Sequence, residues 1–101
     1  MSRKPEGKFQ TKLIADIKER LPGAIVLKND SGYQQGIPDL SIFYKDRWAV
    51  LECKAYTQAE RQPNQEWFVD QMNGMSYAAF VSPENKEEVL NEIQSAFGVD
   101  R

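Results

Sequence analysis

Residues 39–54 constrain the fold most, because they predict a β-hairpin. Two runs rich in strand-forming residues, Asp39–Tyr44 and Arg47–Lys54, are separated by only two residues. In the tightest pairing Asp39 lies directly across from Glu52, and opposed side chains in an antiparallel pair have Cβ atoms about 4.5–5.5 Å apart. A turn one residue longer would move one carboxylate to the other face of the sheet.

Two carboxylates placed that close repel each other. Unless a cation compensates, the pKa of one of them rises or the hairpin loses stability. Lys54 lies two residues beyond Glu52 and therefore projects to the same face of its strand. Asp39, Glu52 and Lys54 thus form a set that can meet a divalent cation and a phosphate. The alternative interpretation is an exposed, charged strand end, although the apolar run Ala49–Leu51 favours a cleft.

The residue types that are absent narrow the chemistry. The 101-residue chain has no histidine and a single cysteine. Histidine-based nucleophilic sites, histidine-ligated metals and thiolate zinc sites are therefore excluded. Any bound metal must be held by oxygen, which indicates Mg²⁺ or Mn²⁺.

Length and composition favour one small domain over residues 1–101. No apolar run approaches the roughly 20 residues of a membrane span, and the first residues lack the apolar stretch of a secretory signal. A single cysteine suits a reducing compartment. We therefore expect a cytoplasmic protein, with no membrane partner.

Apolar spacing predicts helices on either side of the hairpin. Residues 6–21 form an amphipathic helix whose inward sector also includes Glu6 and Gln10. Pro63 suits the first turn of a second helix. Five residues of that helix fall roughly on one face: Trp67, Phe68, Gln71, Met72 and Met75.

Three further elements complete the predicted chain. A short buried strand spans residues 24–27, another strand spans residues 77–81, and a last helix begins at Ser82-Pro83. The order α-β-β-β-α-β-α predicts an α/β fold, a single domain with one mixed sheet flanked by helices. In this last helix we expect four buried residues: Val89, Leu90, Ile93 and Phe97.

The hairpin motifs resemble those of the PD-(D/E)xK nuclease superfamily. Gly36–Leu40 and Val50–Lys54 are similar to its Gly-x-Pro-Asp and Glu-x-Lys motifs, and the element order resembles its restriction-endonuclease-like core. Within the superfamily, the chain most resembles the small VRR-NUC type, which stands alone in phages and forms a domain of DNA repair nucleases. The resemblance covers roughly residues 6–81.

The resemblance implies a metal site. Asp39 and Glu52 would bind Mg²⁺ or Mn²⁺, helped by the backbone carbonyl of Cys53, and Glu6 would complete the site. The side chain of Cys53 alternates to the opposite face of the strand, which favours a core position over a nucleophile.

The resemblance also implies two supporting roles. Lys54 would orient or polarise the attacking water and offset phosphate charge, and Gln65 would support the site. One segment departs from the family pattern. Residues 33–35 are Tyr-Gln-Gln, where such domains often carry basic residues.

Two functions follow as expectations. The first is a metal-dependent DNA endonuclease that hydrolyses phosphodiester bonds in four-way (Holliday) junctions or other branched DNA. It would act as a homodimer, because cutting two strands symmetrically needs two sites. The second is a non-catalytic module that binds nucleic acid or a protein, which the net charge of −2 favours.

Overall fold

The computed structural model describes the backbone of residues 5–99 and the side chains of residues 7–99. Helices and strands follow one another in the predicted order α-β-β-β-α-β-α. Their bounds are α1 (Pro5–Arg20), β1 (Ile25–Lys28), β2 (Leu40–Tyr44), β3 (Arg47–Cys53), α2 (Pro63–Met75), β4 (Tyr77–Val81) and α3 (Lys86–Ala96).

The four strands form one mixed sheet, as predicted, and their order in the sheet is β1-β2-β3-β4. β1 and β3 are antiparallel to β2, whereas β4 is parallel to β3. Parallel neighbours need a crossover connection, and α2 provides it.

The hairpin has the predicted tight register. Tyr44 pairs with Arg47 and Leu40 with Leu51. Lys45, in the two-residue turn, has a φ of 56°, the left-handed conformation that tight hairpins use. The alternative of a longer turn with shifted register is therefore wrong.

Helices cover the two faces of the sheet unequally. α1 and α3 pack on one face and form the main core with alternate residues of β2 and β3. α2 lies on the other face, where Val69 packs with Val50 of β3 and Ala78 of β4. Side chains alternate along a strand, so Glu52 follows Val50 on the α2 face, at the end of this smaller cluster. The main core includes Leu13, Ile17, Leu40, Ile42, Leu51, Val81 and Ile93.

The prediction that residues 24–27 form a buried strand is wrong in bounds and burial. The strand is Ile25–Lys28, and Ile25 and Leu27 are 59% and 50% exposed. Since the strand residues of the smaller cluster come from β3 and β4 only, the same face of β1 stays open. Within β1, only Val26, on the other face, packs against the main core.

Two helix predictions also need correction. Trp67 and Met75 do not form a buried face of α2, since they are 58% and 73% exposed, and Val69 is buried instead.

The last helix begins at Lys86 rather than at Ser82-Pro83. A turn precedes it, in which the backbone N–H of Ser82 donates to Asn85 Oδ1 at 2.7 Å. The buried set predicted for this helix is confirmed.

Across the described residues, no helix has the length and apolar character needed to cross a bilayer.

Candidate active site

The two predicted carboxylates meet where β2 begins and β3 ends. The N–H of Asp39 donates to Glu52 Oε1 at 3.2 Å, and the N–H of Cys53 donates to Asp39 Oδ2 at 2.9 Å. Each carboxylate is thus held by the backbone of the opposing strand. Glu52 is 4% exposed, and Asp39 is half-buried.

Burial and mutual repulsion change the acidity of this pair. Burial, and then the negative charge of Asp39, raise the pKa of Glu52 to about 8. The positive charge of Lys54 and the N–H of Asp39 offset this only in part. At neutral pH Glu52 therefore holds a proton when no cation is bound. A divalent cation would replace that proton and relieve the repulsion.

Lys54 is fixed beside the carboxylates by Gln65. Its ammonium group donates to Gln65 Oε1 at 2.7 Å and to the carbonyl of Glu60 at 3.0 Å, and it lies 4.0 Å from Glu52 Oε2. Gln65 Nε2 in turn donates to Glu52 Oε2 at 2.7 Å. The amide therefore faces Lys54 with its acceptor and Glu52 with its donor.

The first turn of α2 places this amide. Gln65 is the third residue of the helix, and its Oε1 also accepts the N–H of Gln62 at 3.0 Å in a capping box. Pro63 occupies the first helical position, where a missing N–H costs nothing. The helix start is thereby directed at the end of β3.

Gly36 lets the loop before β2 pass against that same turn. Its φ is +89°, and a Cβ there would lie 2.3 Å from the Cβ of Asn64. A side chain at this position would meet both backbone strain and a steric clash. Glycine is therefore required where the loop leads into Asp39.

Asn29 supports the site and was missed by sequence reasoning. Its N–H donates to the carbonyl of Asp39 at 2.8 Å. Its Nδ2 donates to the carbonyl of Pro38 at 2.8 Å and to Ser41 Oγ at 2.9 Å. The sequence does contain a signal for this role, because Asn29 directly follows β1. One further step of the β1–β2 pairing places Asn29 opposite Asp39.

The structure therefore brings together four of the residues that the sequence singled out: Asp39, Glu52, Lys54 and Gln65. The side chain of Cys53 is buried in the main core, and the role of its carbonyl stays a prediction. Glu6 belongs to α1, but its side chain lies outside the described residues, and its role also stays a prediction.

The donor set fits a hard cation. Among residues 7–99, no group of three or more Cys, Asp and Glu side chains is placed to hold a metal. Asp39 and Glu52 supply two carboxylates, and Mg²⁺ usually takes one or two from a protein, completing its shell with water and substrate phosphate. Mn²⁺ accepts the same oxygen ligands.

Two solved structures have the same fold. A "VRR_NUC domain" structure superposes with a TM-score of 0.72 at 18% identity, over 88% of this chain and 97% of that chain. A "VRR_NUC domain protein" superposes with a TM-score of 0.69 at 16% identity, over 98% and 93%. No family model and no curated protein sequence matches the chain. The resemblance seen in the sequence is thus confirmed at the level of the fold.

Proposed function

We propose that this chain is a metal-dependent DNA endonuclease that hydrolyses phosphodiester bonds. The observation that carries the proposal is the contact between half-buried Asp39 and buried Glu52, with Glu52 joined to Lys54 through the amide of Gln65. A repulsive carboxylate pair beside a fixed ammonium group suits a cation and a phosphate. The fold shared with VRR_NUC domains adds support.

Each side chain has a part in the proposed chemistry. Bound Mg²⁺ or Mn²⁺ would supply an activated water and would stabilise the charge that develops on the phosphoryl oxygens. Asp39 and Glu52 hold the cation. Lys54 offsets phosphate charge and orients the attacking water. Gln65 is a positioning residue, because its amide contacts both Glu52 and Lys54.

The proposed substrate is branched DNA, such as a four-way junction. The net charge of −2 makes broad attraction to linear duplex weak. A domain of this size has little surface for reading base edges in a groove. The proposed assembly is a homodimer, because symmetric cutting of two strands needs two sites.

Cleavage by matched variants tests this proposal. The protein is incubated with a labelled four-way junction and a linear duplex of the same sequence, in Mg²⁺, Mn²⁺ or EDTA. We expect metal-dependent cutting of the junction, lost in Glu52→Gln and kept in Glu88→Gln, an exposed carboxylate on α3. Equal cutting of both DNAs would remove only the branch preference. Binding without cutting in any metal would contradict the nuclease and favour the non-catalytic module.

A further inference from the structure

A groove of about 660 Å³ lies between α2 and the edge strand β4. Val69, Ala78 and Phe80 line it, and Arg61 and Trp67 lie along it. This volume falls within the roughly 300–1,000 Å³ of small-molecule sites. The groove is thus large enough for a planar organic group, and the proposed phosphodiester chemistry leaves it without a role.

Phe80 connects this groove to the candidate active site. It pairs with Glu52 across β3 and β4, and its ring centroid lies 6.0 Å from Lys54 Nζ. The Arg61 guanidinium lies 3.9 Å from the same centroid. The groove therefore begins one side chain away from the ammonium group assigned to the phosphate. A nucleotide whose phosphate is at Lys54 has this groove within reach of its base.

Trp67 offers that base a flat surface. Its side chain is 58% exposed, although its indole is held edge-to-face by Phe68, with ring centroids 5.0 Å apart. An exposed tryptophan held in position provides a stacking surface at little entropic cost. Stacking of a base on such a ring suits every base, since each has a π-face.

Charge varies along the groove in a way that fits one nucleotide. Arg61 lies at the end nearest Lys54, whereas Glu66 and Asp70 follow farther along α2. Phosphate is favoured at the basic end and disfavoured beside the carboxylates. Carboxylates can accept hydrogen bonds from base amino groups, such as cytosine N4.

We propose that the groove holds an unpaired DNA base adjacent to the scissile phosphodiester, stacked on Trp67. This inference rests on the proposed nuclease function and adds a reason for branch preference. In a continuous duplex the bases are paired and stacked, whereas a branch point can release one. Trp67 is then a specificity-determining residue rather than a catalytic one.

A double-mutant cycle tests the contact. Once the cut position on the junction is mapped, the flanking base is removed in an otherwise identical abasic substrate. Trp67→Ala and base removal should each lower kcat/KM about tenfold, and combining them should cost little more. Trp67→Phe should retain most activity. Met75→Ala, an exposed apolar residue on the same helix, should match the wild type. Additive losses from the two changes, or no loss, would overturn the inference.

Fluorescence separates failure of the groove from failure of the nuclease. In EDTA, a single-stranded oligonucleotide should quench the wild type more than Trp67→Phe, which retains only the half-buried Trp48. The same quench without cleavage in any metal would keep the groove and reject the nuclease. Cleavage with no coupling between Trp67→Ala and base removal, and with no fluorescence quenching by the oligonucleotide, would keep the nuclease and reject the groove. Quenching by an arginine-rich peptide but not by DNA would overturn the inference in favour of a peptide site.

Discussion

At the scale of the residue, Glu52 couples proton binding to stability. Its pKa is about 8 in the folded protein, against an ordinary value of 4.5. Between those values the folded protein holds a proton that the unfolded chain has lost. The free energy of unfolding contributed by this group therefore falls as pH rises from about 4.5 to 8. The group is least destabilising in acid and most destabilising above pH 8.

Glu52→Gln should remove that dependence. In EDTA, we expect the variant to be more stable than the wild type above pH 8, by an amount on the order of a few kcal/mol, because no buried charge forms. The difference should shrink toward pH 5. Urea unfolding at acidic, neutral and alkaline pH measures it. Glu88→Gln should follow the wild type, and parallel curves for wild type and Glu52→Gln would contradict a raised pKa.

Gln65 should affect turnover more than substrate binding. Gln65→Ala removes the partner of Lys54 and of Glu52 Oε2. Loss of such a supporting group typically costs about 10–100-fold in activity. We expect that fall in kcat with a smaller change in KM, measured by steady-state junction cleavage. Gln71→Ala, an exposed glutamine on the same helix, should have no effect. An unchanged kcat for Gln65→Ala would remove its positioning role.

At the scale of the element, the loop before β2 depends on Gly36. Gly36→Ala should destabilise the protein, because an alanine at φ +89° is strained, at a cost of about 1–3 kcal/mol. The overlap of its Cβ with Asn64 adds to that cost. Cleavage should fall too, since the loop leads into Asp39.

Gly74→Ala is the matched control for Gly36→Ala. Gly74 lies within α2 with nothing within 4 Å of an added Cβ, so alanine there should be neutral or stabilise by about 0.5–1 kcal/mol. Thermal unfolding compares the two, and equal melting temperatures would contradict this reading of the loop.

Local sequence patterns predicted the helices and strands better than they predicted which faces of those elements are buried. The two-residue turn fixed the register of the hairpin, and hence the meeting of Asp39 and Glu52, because pairing follows from turn length. The openness of β1 and the exposure of Trp67 were not predictable. Both depend on α2 lying over β3 and β4 only, which is a tertiary arrangement that helical periodicity does not encode. Asn29 was missed for a separate reason. Its position directly after β1 was visible in the sequence, but its side-chain partners, Pro38 and Ser41, lie just before and on the neighbouring strand β2.

At the scale of the whole molecule, the proposed dimer has a measurable mass. Sedimentation of the purified protein should give twice the 11.6 kDa of one chain. A junction cut by such a dimer should yield two nicks placed symmetrically about the branch point. A monomeric mass in the presence of junction DNA would contradict two-site cutting while leaving the nuclease chemistry intact.

Binding of Mn²⁺ measured by calorimetry tests the central claim most directly. The titration is performed at neutral pH in two buffers with different ionisation enthalpies, on the wild type, Asp39→Asn and Glu88→Gln. We predict binding by the wild type and by Glu88→Gln, with proton release as Glu52 exchanges its proton for the cation. Asp39→Asn should lose that binding. Mn²⁺ binding that persists in Asp39→Asn, or that releases no proton, would contradict a metal site built on the Asp39–Glu52 pair.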